Sequence, residues 1–167
     1  MTKSIAELID DLLAARKELV GIPGWREGPH PDEHRLVMPL HIDGVSTGAE
    51  FLVTAYPLVG HGKFRIMICA PKCVWKIDHT TDELHVNSFD RPSDILEHSF
   101  MQPHYHSWAD NRRFSTRSVL PEQLKNARIM PEGVRSFDSS LRWFCGDTNI
   151  EQPAKGLIVL PPRTRLL

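Results

Sequence analysis

His104 and His106 stand two residues apart in the run Gln102-Pro103-His104-Tyr105-His106-Ser107-Trp108. In an extended strand, residues i and i+2 point to the same side. The spacing therefore predicts two imidazoles on one face with Trp108 following them, and Tyr105 on the other face. Neutral imidazole nitrogen is a strong ligand for zinc and other first-row metals. His85 or Asp78, brought in from neighbouring strands, would complete a three-ligand set and leave a position for water. The metal reading thus names His85, His104 and His106, with zinc or another divalent metal as cofactor. The same groups can also act without metal, because one protonated and one neutral histidine form a general acid–base pair near pH 7. Asp78 then orients an imidazole, and Arg112, Arg113 or Lys76 meets an anionic transition state. Tyr105 and Trp108 would stack on the bases of single-stranded RNA. A third reading makes the histidines structural, hydrogen-bonded at a sheet surface, with Trp108 in the core.

Other chemistries find less support. Asp138-Ser139-Ser140 has no GxSxG context for a nucleophilic serine, and neither a GxGxxG turn nor a Walker loop occurs. The cysteines Cys69, Cys73 and Cys145 are odd in number, which argues against a disulfide framework and for a reducing, cytoplasmic setting. All three read as buried small apolar residues. His30 and His34 lie in a proline-rich loop, His41 alternates into a strand and His61 sits between glycines, so these read as solvated or as a hairpin tip.

The elements that must position the candidate site begin with a helix. Ser4 and Glu7 have the spacing of a capping box, and Ile5, Leu8, Ile9, Leu12, Leu13 and Leu19 repeat at helical intervals. Gly21 and Pro23 predict its end. From Arg35 the period changes to two, with strands expected over 35–43, 49–59, 63–69 and 73–79 and a fifth over 102–108. Pro121 opens a short predicted helix, and Val134, Phe137, Leu141 and Phe144 mark another. The expected fold is a single α+β domain over 1–167. An N-terminal helix (1–21) packs on an antiparallel sheet of about five strands (35–110), followed by short C-terminal helices (120–150) and a tail (151–167).

The chain has 167 residues, enough for a core without covalent staples, and no apolar run is long enough to span a membrane. Residues 1–111 carry 10 Lys/Arg and 16 Asp/Glu, whereas residues 112–167 carry 10 and 5. The basic C-terminal third suits an anionic partner, RNA or an acidic protein surface. Arg163 and Arg165 are the contact residues expected if the protein binds a partner rather than catalyses a reaction.

The order Trp75-x-Ile77-Asp78, His85-x-Asn87 and Pro103-His104-x-His106-x-Trp108 resembles a pattern in small bacterial proteins, and it is similar to the Asp, His and His-x-His order of TumE-like toxins from toxin–antitoxin pairs. The resemblance covers about residues 75–113, with Trp75-Lys76 in place of an arginine lead-in and a longer spacer over 88–102. It implies a small α+β domain with an RNA-directed activity. The leading expectation is a toxin-like ribonuclease, the rival is a non-enzymatic protein-binding factor of a phage or defence system, and the third is a metal-dependent hydrolase.

Overall fold

A computed structural model describes residues 2–58 and 62–162. The connection expected at Gly60 and His61, and the tail positions Arg163 and Arg165, lie outside the described residues. Strands are β1 (Glu18–Leu19), β2 (Trp25–Glu27), β3 (His34–Ile42), β4 (Val45–Tyr56), β5 (Lys63–Cys69), β6 (Cys73–His79), β7 (His85–Val86), β8 (Ser99–Phe100), β9 (His104–His106) and β10 (Arg128–Ile129). Helices are α1 (Ile5–Ala14), α2 (Trp108–Asn111) and α3 (Phe137–Asp147), with a 3₁₀ turn at Arg112–Phe114.

The expected α+β architecture is corrected here. Among the described residues the molecule is mostly antiparallel sheet. One sheet of eight strands runs β1-β3-β4-β5-β6-β9-β10 with β2 paired to β3, and β7 and β8 form a separate ribbon. The helices are short. Six of the strands have only two or three residues, too few for alternation to register as a period. The N-terminal helix ends at Ala14 instead of near Gly21. There the buried Lys17 ammonium donates to the carbonyls of Leu12 (2.7 Å), Leu13 (3.1 Å) and Ala15 (2.6 Å), and the chain continues into β1. Residues 121–127 form no helix. The fifth strand is confined to His104–His106, because Ser107 caps α2 by accepting from the Asp110 amide. Among the described residues no helix is long and apolar enough to cross a membrane.

Alternation along β3 to β6 and β9 divides the sheet into two faces. Leu36, Val53, Ile66, Ile77 and Tyr105 form one cross-strand row, and Met38, Phe51, Ile68 and Trp75 form the next. These rows pack with Ile9 of α1 and with Leu141 and Phe144 of α3. Trp75 meets the Phe144 ring edge-on at 5.0 Å and stacks on Tyr105 at 5.5 Å. Full burial of each such side chain stabilises by about 1.5–3 kcal/mol. The opposite face carries Arg35, Thr54, Arg65, Asp78 and His104 in one row, and Val37, Leu52, Met67, Lys76 and His106 in the next. Its charged and histidine side chains are therefore aligned by register alone.

Candidate metal centre

His104 and His106 do share the second face of the sheet, both almost fully buried. The β7–β8 ribbon carries His85 onto that face. Ring centroids of His85 lie 4.9 Å from His104 and 4.8 Å from His106. One potential ligand atom from each of the three imidazoles falls within 4.8 Å of the other two.

Two of the rings are held in one orientation by acceptors on their far sides. His104 Nδ1 lies 2.8 Å from the Gln102 carbonyl oxygen and so donates there, leaving Nε2 with its lone pair. His85 Nε2 lies 3.0 Å from Asn87 Oδ1. The Asn87 amide cannot be reversed: its Nδ2 donates to the carbonyls of Glu97 (2.8 Å) and Ala127 (3.1 Å), and its Oδ1 accepts from the Ala127 amide (2.7 Å). His85 therefore donates through Nε2 to Asn87, and the Lys125 backbone is a second hydrogen-bonding neighbour of the ring. Such outer acceptors are what fix the tautomer of metal-binding histidines. Both ring nitrogens of His106 are shut off from solvent; Nδ1 has no hydrogen-bond partner, and Nε2 faces the Asp78 carboxylate at 3.4 Å. A buried imidazole with one ring nitrogen unpartnered, set beside two further imidazoles, suits a metal ion.

Asp78 lies behind the rings. Its Oδ2 is 3.4 Å from His106 Nε2 and 3.7 Å from His104 Nε2. Arg65 Nε contacts Oδ1 at 2.6 Å and Lys76 Nζ contacts Oδ2 at 2.6 Å. Burial alone would raise the Asp78 carboxyl, but the facing His106 and the Lys76 and Arg65 cations hold it well below the usual carboxylate range. Desolvation acts oppositely on the imidazoles. It lowers His85 and His104 and pulls His106 down to about 3, so all three favour the neutral, ligand-competent form.

A backbone network joins the ribbon to the sheet. Asn111 Nδ2 donates to Asn126 O, and Asn126 Nδ2 donates to Asp110 O. Arg128 makes a two-point pair with the Asp110 carboxylate, at 2.8 and 2.7 Å. Asn87 connects to the same segment through Ala127. An open cleft of about 790 Å³ extends from His85 and His106 across the sheet to Glu33 and Arg35. Arg35, Arg65, Lys76 and Lys125 stand on its wall with the carboxylates Glu33 and Glu122; Leu52, Met67, Val86, Phe89 and Leu124 supply apolar surface.

Of the expected site residues, His85, His104, His106 and Asp78 come together. Tyr105, Trp108, Arg112 and Arg113 do not line the cleft. Tyr105 faces the core, as an odd position between two site histidines must. Trp108 is buried in α2 and donates through Nε1 to Asp10 Oδ1 at 2.8 Å, because the strand has already ended and the two-residue alternation no longer applies. Arg112 pairs with Asp10 at 2.7 Å, and Arg113 donates to the Asp90 carbonyl. Arg65 escaped sequence reasoning as a site residue, and Asn87 entered only as part of the His85-x-Asn87 motif. The strand register that sets Arg65 beside Asp78 is the signal that finds it.

No known family model, curated protein or solved structure matches this chain.

Proposed function

We propose that the protein is a metal-dependent hydrolase in which His85, His104 and His106 hold one divalent ion, zinc or another metal that prefers imidazole, at the head of the cleft. The observation that carries this reading is the convergence of three imidazoles within 4.8 Å, two of them oriented from behind by the Gln102 carbonyl and Asn87. Three-histidine sets with an open position are a recurrent catalytic zinc arrangement. An ion held this way acidifies water and polarises a phosphoryl or carbonyl oxygen.

The chain's own residues would supply the rest. Asp78, kept charged by Arg65 and Lys76, places a negative charge beneath His104 and His106. Arg35, Arg65, Lys76 and Lys125 on the wall suit an anionic substrate, and a phosphate ester, RNA among them, is the class this reading favours. A metal-free acid–base pair is less well supported. Burial lowers both His104 and His106, so the pair lacks a protonated member at neutral pH. An uneven set of three cysteines agrees with a reducing, cytoplasmic setting.

Elemental analysis of untagged protein tests the reading, with about one metal ion per chain expected. His85→Ala and His104→Ala should lose the ion, and each should lower hydrolysis of a single-stranded RNA or a generic phosphodiester on the order of 100-fold or more. Because His85 is only half-buried, its variant should melt near the parent temperature. Full activity in chelator-treated protein, or stoichiometric metal retained in both variants, overturns the proposal.

A further inference from the structure

The turn joining β5 to β6 reads Cys69-Ala70-Pro71-Lys72-Cys73, and it closes with the Ala70 amide donating to the Lys72 carbonyl at 2.8 Å. Cys145 is fully buried, as expected of all three cysteines, but Cys69 and Cys73 are only partly buried. Cys69 and Cys73 are direct partners across the two strands, at a point where the register shifts. Facing residues of an antiparallel pair bring their Cα atoms to about 4.5–5.5 Å, inside the range of about 4.4–6.8 Å that a disulfide spans. Cys73 Sγ lies 3.6 Å from the Trp75 carbonyl oxygen. Cys73 also lines the cleft, on the same wall as Lys76, His85 and His106.

We propose that Cys69 and Cys73 are a redox modification site, a reduced dithiol that closes to an intrachain disulfide at the mouth of the cleft when the protein meets a peroxide. The hydrogen bond with Cys73 holds the Cys69 thiol below its usual range, and the same contact together with burial raises Cys73. Cys69, as thiolate, attacks one peroxide oxygen; the O–O bond breaks, the other oxygen leaves as water after protonation, and Cys69 becomes a sulfenic acid. Cys73 then attacks the Cys69 sulfur, the S–O bond breaks, and a second water leaves as the S–S bond forms. Two thiols and one hydrogen peroxide thus give one disulfide and two waters. A thiol reductant reverses the reaction. Cys145, deep among the α3 core residues and pushed up to about 12 by burial, takes no part.

Thiol counting on the full chain tests this. Denatured reduced protein should show three free thiols. After brief treatment with dilute hydrogen peroxide it should show about one, with a mass about 2 Da lower and a peptide joining residues 69 and 73. Dithiothreitol should restore the original count. Cys73→Ser should block the 2 Da loss and trap Cys69 as a sulfenic acid that dimedone labels. Three thiols surviving treatment, a cross-link that includes Cys145, or unpaired oxidation of both cysteines in the parent protein would each overturn the proposal. None of these readouts depends on the metal, so they stand apart from the test of the hydrolase reading.

Discussion

At the scale of single residues the centre depends on which nitrogen of each ring carries its proton. His85 is the clearest case, because its orientation comes from an amide with every hydrogen-bonding position in use. Asn87 accepts from the His85 ring and the Ala127 backbone, and donates to Glu97 and Ala127. Asn87→Leu removes the acceptor while keeping roughly the volume. Loss of an outer partner of this kind lowers metal affinity about 10–100-fold. Freeing the Ala127 amide and two carbonyls in the interior costs about 2–3 kcal/mol of stability. Competition against a chromophoric chelator should show the first effect and urea unfolding the second. Unchanged affinity in a variant that has lost that stability would mean that Asn87 is scaffolding for the ribbon alone.

At the scale of elements, the C-terminus of α1 is held by a charge. Lys17 is 1% exposed, and its ammonium turns back onto the last carbonyls of the helix, while Asn149 donates to Leu13 and Ala14. Burial pulls its pKa from 10.5 to about 8. Between those values the unfolded chain binds the proton and the native state has released it, so stability rises with pH across that window. Lys17→Met leaves the carbonyls without a donor and should cost about 1–3 kcal/mol at pH 7. The gap between parent and variant should widen by about 2 kcal/mol from pH 7 to about pH 9.5; a gap that stays flat would show an ammonium retained by its three acceptors. This residue also explains a boundary that was hard to read. Ser4 and Glu7 make the capping box their spacing predicts. The far end looked helical to Leu19, because the apolar period runs on through residues whose backbone instead enters β1. Strands β3 to β6 were legible from alternation. The ribbon β7–β8 and the short strands β1, β2 and β10 were not, since they form only by pairing with partners distant in sequence.

At the scale of the whole molecule, the candidate centre spans two parts of the fold that the Asn87–Ala127 hydrogen bonds also join. His104 and His106 belong to the main sheet, whereas His85 belongs to the ribbon that closes over it. The pairing of His104 with His106 could be read from an i, i+2 spacing. The arrival of His85 could not, because residues 80–103 have no period that says where the ribbon folds back. Asp78 reached the same place through strand register, which aligns it with His104 across β6 and β9. A bound ion would therefore hold ribbon to sheet, and binding to the native state alone stabilises by RT ln(1 + [L]/Kd). At zinc about 100-fold above Kd this amounts to about 2.7 kcal/mol, or a rise of about 5–10 °C in melting temperature for a chain of this size. Calorimetry with zinc and with chelator should show that rise in the parent protein and lose it in His85→Ala, and amide exchange should slow over residues 85–100 on loading. Equal zinc stabilisation in parent and His85→Ala would place the ion elsewhere, because only an ion that includes His85 can tie the ribbon down.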